Sequence, residues 1–359
     1  MRFNFNLKQS KLYDFLKFPK CLFQEEHFMQ VSALNNYKEV VNDSYFEMLT
    51  KFKEILAPYS KEIEIFYPKQ FIDFDFIDLI MNAYPSRKDY GLKQYLESLL
   101  LYEERELKEG LINSLIDHEE LERSKANFNY DSNEELVEFI NLFSIEPNLK
   151  WNLILILQDP VKYVKKYVNL MNKIIPLFEK EYASYESKVL EYGFYVIDYI
   201  NKFGYEGIEE LSNSLLNKSI NLDHFETILI SAFFPYSIIV YDNSNLKQIV
   251  WGISVENALK KIKEINKNKL IERTQVFKLL GDKTKYEVLK YISQGITSTK
   301  EIASLTKVSS ATISYHLNSF LTAKIIKLDN INKKFSYVID YEVLDLILND
   351  LKNDLNFPK

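Results

Sequence analysis

The fold is decided by residues 281–340, which read GDKTKYEVLKYISQGITSTKEIASLTKVSSATISYHLNSFLTAKIIKLDNINKKFSYVID. Asp282 is suited to cap a first helix, because its side chain can accept hydrogen bonds from the free backbone N–H groups of a first turn. Gly295 can close that helix, since glycine readily adopts the left-handed conformation that ends many helices. The apolar residues between them fall on one face, which predicts that this face is buried: Val288, Leu289 and Ile292.

Two further helices follow closely. Residues Ser298–Glu301 have the S-x-x-E pattern of a capping box and predict a short helix through Leu305. After a turn at residues 306–308, Ser309 is suited to cap another helix. The predicted inward stripe of this helix is Ile313, Leu317, Phe320 and Leu321.

Two β-rich runs end the stretch, Ile325–Leu328 and Phe335–Ile339, and the polar hairpin Asn330–Lys334 joins them. Two short helices with a tight turn, followed by a hairpin, are the parts of a DNA-reading module. The stretch therefore predicts a winged helix-turn-helix.

Three segments of this stretch resemble the matching segments of ArsR-type bacterial transcription regulators: Leu280–Lys285, Glu301–Ala303 and Ser309–Leu317. The resemblance covers the last quarter of the chain and implies a dimeric winged helix in which the helix beginning at Ser310 enters the major groove of double-stranded DNA. The sequence departs from the family at two positions. The family usually has Gly where Lys324 stands, so this turn must differ or must hold Lys at positive φ, at a cost of about 1 kcal/mol. The position of Tyr315 often carries Arg or Lys, so base readout here relies on uncharged groups.

The helix beginning at Ser310 supplies the predicted base contacts. If its apolar stripe faces inward, helical geometry turns Ala311, Tyr315 and Asn318 outward, with Thr312 and Ser314 on the flanks. The predicted base-contacting residues are Ser310, Ala311, Thr312, Ser314, Tyr315 and Asn318. The alternative for each polar residue is ordinary helix surface. His316 is expected to be a partly buried packing residue.

Lys333 and Lys334 are expected at the tip of the wing, where long cations can reach phosphate or the minor groove. The alternative is a charged turn that only keeps the hairpin soluble.

The chain end carries the predicted dimerisation stripe of Leu344, Ile347, Leu348 and Leu351, at i, i+3, i+4, i+7 spacing. In the resembled family this helix pairs across a two-fold axis with the first helix of the DNA-binding domain, which we call the reader; here that first helix is expected around Glu272–Leu280. The alternative is that the stripe packs on the front domain of the same chain.

Charge is distributed unevenly along the 359 residues, whose net charge is −6. Residues 270–340 carry eleven Lys or Arg and six Asp or Glu, a net charge of +5, whereas residues 1–269 carry −9. A basic module on an acidic body is expected if only the module contacts phosphates. The single cysteine, Cys21, is expected to be a small buried residue, and it excludes an intramolecular disulfide framework. No signal core begins the chain and the most apolar stretch is short, so we expect a cytoplasmic protein with no membrane association.

The first three quarters of the chain are predicted to be mostly helical. A strand is predicted at Arg2–Lys8, a long helical region at residues 160–203 with a kink at Pro176, and buried strands at Ile228–Phe234, Ser237–Tyr241 and Gln248–Ile253. The predicted fold class is mainly α with minor β. The predicted domains are a helical N-terminal domain at 1–254, a connecting helix at 255–269, and the winged helix at 270–359 with its C-terminal dimerisation helix. The front part also loosely resembles an uncharacterised helical domain that precedes winged helices in some ArsR-like regulators.

Chemical motifs in the front part are weak. The pair Gly204-x-x-Gly207 lacks a phosphate loop and a dinucleotide fingerprint, so no cofactor is predicted. The run Asp117–Glu120 and the group Asp223, His224 and Glu226 have the residue types of a metal or acid–base site, but a solvated face is favoured for the first and a loop for the second. No set of thiolates or imidazoles at ligand spacing occurs, so neither a metal site nor an enzyme is predicted.

The candidate functions left for the front domain are ligand sensing and protein association. Aromatic residues on its long helical region would suit a pocket for a small-molecule effector, and the alternative is an aromatic-packed core: Tyr182, Tyr185, Tyr192, Phe194, Tyr195, Tyr199 and Phe203. The predicted protein is a transcription regulator. The main alternative is a protein-interaction module in which the winged helix mediates association, and an enzyme in the front domain is a weaker one.

Overall fold

The computed structural model describes residues 2–24, 40–68, 75–118, 132–143, 145–216, 222, 224–243, 245–265, 269–331 and 334–357. They form two compact units. The first lies within residues 1–33, 41–201 and 223–255, and the second lies within residues 34–40, 202–222 and 256–359. The domain bounds drawn from the sequence at 254 and 269 stay a prediction.

The first unit is built mainly of helices. Its helices are α1 (Leu7–Lys17), α2 (Asp43–Leu56), α3 (Ser60–Ile63), α4 (Phe76–Ala83), α5 (Leu92–Leu99), α6 (Glu104–His118), α7 (Asn133–Asn141), α8 (Pro147–Gln158), α9 (Pro160–Tyr182) and α10 (Glu186–Phe203), the last of which ends just beyond the unit. The long helical region expected at 160–203 is two helices. Pro176 lies inside α9, and the chain turns after Tyr182, whose carbonyl accepts a 2.8 Å hydrogen bond from the Tyr185 N–H.

A four-stranded sheet completes the first unit. Its strands are β1 (Asn4–Phe5), β2 (Thr227–Ser231), β3 (Ile238–Asp242) and β4 (Lys247–Gly252), in the order β1-β2-β4-β3. The β1–β2 and β2–β4 pairs are parallel and β3–β4 is antiparallel. The opening strand is shorter than predicted, because the Asn6 side chain accepts a 3.1 Å hydrogen bond from the Gln9 N–H and starts α1 there.

The core of the first unit is aromatic. The Phe233 ring lies in the turn after β2 and contacts the rings of Phe18, Phe52, Phe178, Tyr182 and Tyr185, with centroids 4.6–5.8 Å apart. Tyr182 is fully buried here, so the aromatic-core alternative is the correct one for this residue. Cys21 is also fully buried, as predicted.

Four buried or nearly buried charges form an ionic cluster in the first unit: Lys17, Lys20, Asp75 and Asp78. Lys17 Nζ lies 3.3 Å from Asp75 Oδ1 and also bonds Asp78, while Lys20 Nζ lies 3.2 Å from Asp75 Oδ2. The two aspartates cap α4 reciprocally, because each carboxylate accepts the backbone N–H of the other. The cluster therefore ties α1 and the turn after it to the start of α4.

The second unit contains the predicted winged helix-turn-helix, so the chain is mainly α with minor β, as predicted. Its elements are α11 (Tyr205–Leu211), α12 (Val255–Ile265), α13 (Lys269–Gly281), α14 (Lys283–Ser293), α15 (Thr299–Thr306), α16 (Ser310–Thr322), β5 (Ile326–Ile331), β6 (Lys334–Ile339) and α17 (Tyr341–Asp354). The strands β5 and β6 pair antiparallel. The predicted inward residues Ile313, Leu317 and Phe320 are buried in one core with the predicted face of α14.

Candidate nucleic-acid interface

Side-chain caps begin α14, α15 and α16, as the sequence predicts. Asp282 Oδ1 accepts a 2.9 Å hydrogen bond from the Lys285 N–H at the start of α14. Ser298 Oγ accepts from the Glu301 N–H at the start of α15. Ser309 Oγ accepts a 3.1 Å bond from the Thr312 N–H at the start of α16. These caps fix where α16 begins and hence which of its residues can meet a partner.

Left-handed residues close the same helices. Gly295 has φ +83° after α14, and Lys307 has φ +57° after α15. Lys324 has φ +58° after α16, so the chain holds Lys where the resembled family usually has Gly, with strain of about 1 kcal/mol. The reversal lets the Ile325 N–H bond the Phe320 carbonyl at 3.1 Å and brings Ile325 into the core ahead of β5.

One side of α16 is less buried than the rest of the helix. We call this side the exposed strip; Asn318 is exposed, and the other four members are half-buried: Ser310, Ala311, Thr312 and Ser314. The Asn318 amide makes no hydrogen bond within the described residues. The Thr312 hydroxyl lies 2.8 Å from Ser309 Oγ and belongs to the cap. The Ser310 hydroxyl oxygen is buried, so the side chain of Ser310 does not present its polar atom outward.

Tyr315 does not face outward, although its position on the helix predicted that it would. It is only 8% exposed, and Lys285 Nζ lies 5.8 Å from its ring centroid. The cause is tertiary: α14 packs against α16, and its first turn covers the side of α16 that carries Tyr315 and His316. The orientation drawn from helical geometry was therefore wrong for this residue, while contact between Tyr315 and DNA stays a prediction.

His316 is a buried packing residue, in agreement with the sequence prediction. Its ring meets that of Tyr315 edge-on, with centroids 5.4 Å apart. Burial lowers the pKa of His316, the nearby Lys285 cation lowers it further, and Asp282 opposes the shift. Neutral His316 is thus the form compatible with this packing.

The wing is a longer hairpin than predicted. β5 extends to Ile331 and β6 begins at Lys334, so the strands take in most of the expected loop, and Ile331 pairs with Lys334 across the ladder. Lys333 lies outside the described residues, as does the side chain of Lys334. At the base of the hairpin Lys327 Nζ lies 3.2 Å from Asp340 Oδ2.

The predicted stripe of α17 divides between two environments. Leu344 and Ile347 are half-buried against the core of their own winged helix. Leu351 is half-buried, and Leu348 is 46% exposed. Tyr341 and Leu355, spaced seven residues to either side of Leu348, are 64% and 62% exposed. An apolar seam of α17 is therefore open within the described chain.

Exposed lysines of the reader are found outside α16: Lys283, Lys290, Lys307 and Lys324. The thirteen residues of α16, SATISYHLNSFLT, contain no Lys, Arg, Asp or Glu. Cations in this arrangement suit phosphate contacts, whereas the uncharged helix suits base edges.

Two helices joined by a tight turn, an antiparallel hairpin and a closing helix define a winged helix-turn-helix. Residues 282–327 match the family model for bacterial regulatory proteins of the arsR family. The chain therefore carries an ArsR-family helix-turn-helix domain, which points to DNA-binding transcription regulation. No curated protein and no solved structure matches the chain significantly.

Asp117 and His224, which are described members of the two charged motifs of the front part, make polar contacts. Asp117 Oδ2 accepts a 3.3 Å hydrogen bond from the Asn82 amide, and Glu119 and Glu120 lie outside the described residues. The His224 ring nitrogen lies 3.0 Å from Asp242 Oδ1, which also pairs with Lys247, and Asp223 lies outside the described residues. Within the described ranges, no three His, Cys, Asp or Glu side chains are arranged to hold a metal ion. The helices of the same ranges include none with both the length and the apolar character of a membrane span.

Proposed function

We propose that the protein is a transcription regulator whose α16 enters the major groove of a near-palindromic operator. The observation that carries this proposal is the uncharged exposed strip on the second helix of an ArsR-family helix-turn-helix, with exposed lysines on other elements of the same domain. In such domains the second helix reads base edges and the surrounding cations contact phosphates. The predicted contacts of Ser310, Ala311, Thr312, Ser314, Tyr315 and Asn318 belong to this proposal, and among these residues Asn318 is the exposed one.

The wing is proposed to add phosphate contacts through Lys333 and Lys334. Lys334 begins β6 and Lys333 precedes it in the sequence, and long lysine side chains at a hairpin turn suit a phosphate partner.

A homodimer is proposed to form through α17. To the predicted stripe of Leu344, Ile347, Leu348 and Leu351 we add Tyr341, which begins α17, and Leu355, which follows its last residue. Tyr341, Leu344, Leu348, Leu351 and Leu355 alternate three- and four-residue spacings, which is the pattern of a helix-pairing seam. A large part of this seam is exposed within the described chain, and burial of leucine and tyrosine side chains favours association. A two-fold dimer would set two α16 helices about 34 Å apart, one turn of DNA, and so requires a near-palindromic site.

The first unit is proposed to sense a small-molecule effector or a protein partner. A winged helix binds DNA without a domain of this size in front of it, and the first unit is acidic by sequence, which does not suit phosphate binding.

The central test is a genome-wide map of binding sites, followed by fluorescence anisotropy of the full-length protein on the mapped sites and on random DNA. We expect a specific site bound far more tightly than random DNA, with affinity that falls as salt rises. Replacing both Lys333 and Lys334 with Ala should lower the affinity for all sequences alike and flatten the log K against log salt slope by about 1–2 units. Failure to bind any DNA in a salt-dependent manner would favour the protein-interaction alternative.

The dimer is tested with a matched pair of variants on α17. Leu348→Glu should give monomers in sedimentation and much weaker specific binding, because it places a charge in the seam. Leu346→Glu is the control, since Leu346 is 65% exposed on another side of the same helix. Equal behaviour of the two variants, or tight binding of a half-site by a wild-type monomer, would contradict the proposed dimer.

The sensing role is tested by screening metabolites for those that raise the unfolding temperature of the full-length protein and change its operator affinity. A ligand of the first unit must do both if it regulates DNA binding.

A further inference from the structure

The chemistry of the exposed strip restricts which base pairs it can read. In the major groove guanine is read mainly by Arg or Lys, cytosine by Asp or Glu, adenine by the two halves of an Asn or Gln amide, and the thymine methyl by apolar contact. The helix α16 has no Arg, Lys, Asp or Glu. The strong side-chain pairings with guanine and cytosine are therefore missing from this helix.

Asn318 has the group that adenine requires. Its side chain is exposed, and within the described residues neither the amide oxygen nor the amide nitrogen is engaged in a hydrogen bond. An adenine offers one acceptor, N7, and one donor, the N6 amino group, on its major-groove edge. A free carboxamide can satisfy both at once.

Ala311 lies on the same line of the helix as Asn318, seven residues or about 10.5 Å away along the axis. It is half-buried, and its methyl group is the apolar member of the strip. The large neighbouring side chain, Tyr315, is buried beside Lys285 and does not stand between them and a groove. Small apolar groups in this position suit the methyl group of thymine.

We propose that α16 reads A·T pairs, with Asn318 hydrogen-bonding an adenine at N6 and N7 and Ala311 packing against a thymine methyl group. This inference rests on the proposed function and adds the chemical class of the operator. Each half-site then has A·T pairs where the exposed strip meets the groove.

The test is a selection of tight binders from a random double-stranded DNA library with the full-length protein, followed by anisotropy on the selected site and its single-pair variants. We expect A·T pairs at the positions facing α16. Replacing the adenine read by Asn318 with guanine should weaken binding roughly 5- to 150-fold, the range given by a lost bidentate pair.

Three variants assign the effect to Asn318. Asn318→Ala should abolish the preference for adenine at one position per half-site and leave the affinity for random DNA nearly unchanged. Asn318→Arg should shift the preference at that position from adenine to guanine. Asn349→Ala, the same truncation on an exposed residue of α17, should leave the selected motif unchanged.

The outcomes separate this inference from the proposed function. A motif built on G·C pairs at the contacted positions, or an Asn318→Ala variant that keeps the adenine preference, overturns the reading of A·T pairs alone. A library that yields no sequence preference overturns the proposed function and the inference together.

Discussion

The two units of the chain treat their polar side chains in opposite ways. In the first unit Lys17, Asp75 and Asp78 are buried and bonded to one another, and the carboxylate of Asp14 is buried against β2. In the winged helix the core is apolar, and α16 leaves the amide of Asn318 exposed and without a hydrogen bond within the described residues. Polar groups that are buried and paired hold a fold together, whereas exposed and unpaired ones are available to a partner. The difference indicates that the first unit uses these charges for structure and, under the proposed function, that the winged helix keeps Asn318 available to a partner.

The largest expected effect tests whether the ionic cluster is structural. Lys17→Ala should lower the free energy of unfolding by about 3–5 kcal/mol, because it leaves two buried aspartates with only Lys20 to balance them. Burial by itself would raise the pKa of Asp78, but Lys17 and Lys20 hold it below its ordinary value, so the aspartate is charged at neutral pH. Urea unfolding of the full-length protein measures the change.

The matched control is Lys173→Ala. Lys173 pairs with Glu62 at 3.0 Å, and both side chains are about half exposed, so its loss should cost about 0–1 kcal/mol. Equal changes in the free energy of unfolding for the two substitutions would show that the buried cluster stabilises the fold no more than a surface ion pair does. The contrast drawn between the two units would then be wrong.

The next effect concerns Asp14, the buried carboxylate that accepts hydrogen bonds from the Ser231 hydroxyl and the Ala232 N–H. Burial raises the pKa of Asp14 to about 7, against the opposing effect of those hydrogen bonds. A carboxyl whose pKa is higher in the folded protein stabilises the fold at acidic pH. That contribution is lost as the pH rises from about 4 through 7, because the folded state must then bury a charge.

Asp14→Asn should therefore reduce the fall in stability between pH 4 and pH 8 by on the order of 2–4 kcal/mol relative to wild type. Urea unfolding of both proteins at the two pH values measures it. Parallel pH profiles would mean that the carboxylate titrates normally and that this part of the first unit is more hydrated than its burial indicates.

The smallest expected effect concerns the stability of the winged helix. Lys324→Gly should raise the free energy of unfolding of the winged helix by about 1 kcal/mol, because glycine adopts a φ of +58° without strain. Lys327→Gly is a contrasting substitution within β5, where glycine should destabilise the strand. A thermal melt that shows no gain for Lys324→Gly would indicate that Lys324 makes contacts that offset its strain.

Local signals in the sequence predicted the reader well. The caps Asp282, Ser298 and Ser309 and the buried stripe of α16 follow from residues within a few positions of each other, so helix periodicity and capping chemistry suffice to place them. At Lys324 the sequence left two alternatives, a different turn or Lys at positive φ, and the chain adopts the second.

The same local signals could not predict the long-range contacts. Tyr315 is buried because α14 covers it, and nothing in the spacing of α16 distinguishes it from an outward residue. The ionic cluster joins residues 58 and 61 positions apart in the sequence, and each looks like a surface charge in its own segment. The pairing of β1 with β2 links the two ends of the first unit, which no local pattern encodes.

Under the proposed function, the exposed strip of α16 also limits how selectively one copy of the protein can bind DNA. A few small uncharged side chains discriminate among few base pairs, while a genome presents on the order of 10⁶ or more competing positions. If one strip favours its half-site by a given factor, two strips held together favour the full site by the square of that factor. Because each strip distinguishes few base pairs, the apolar seam of α17 would then supply selectivity as well as assembly. A dimer binds two half-sites together, and the longer combined site occurs far less often in a genome.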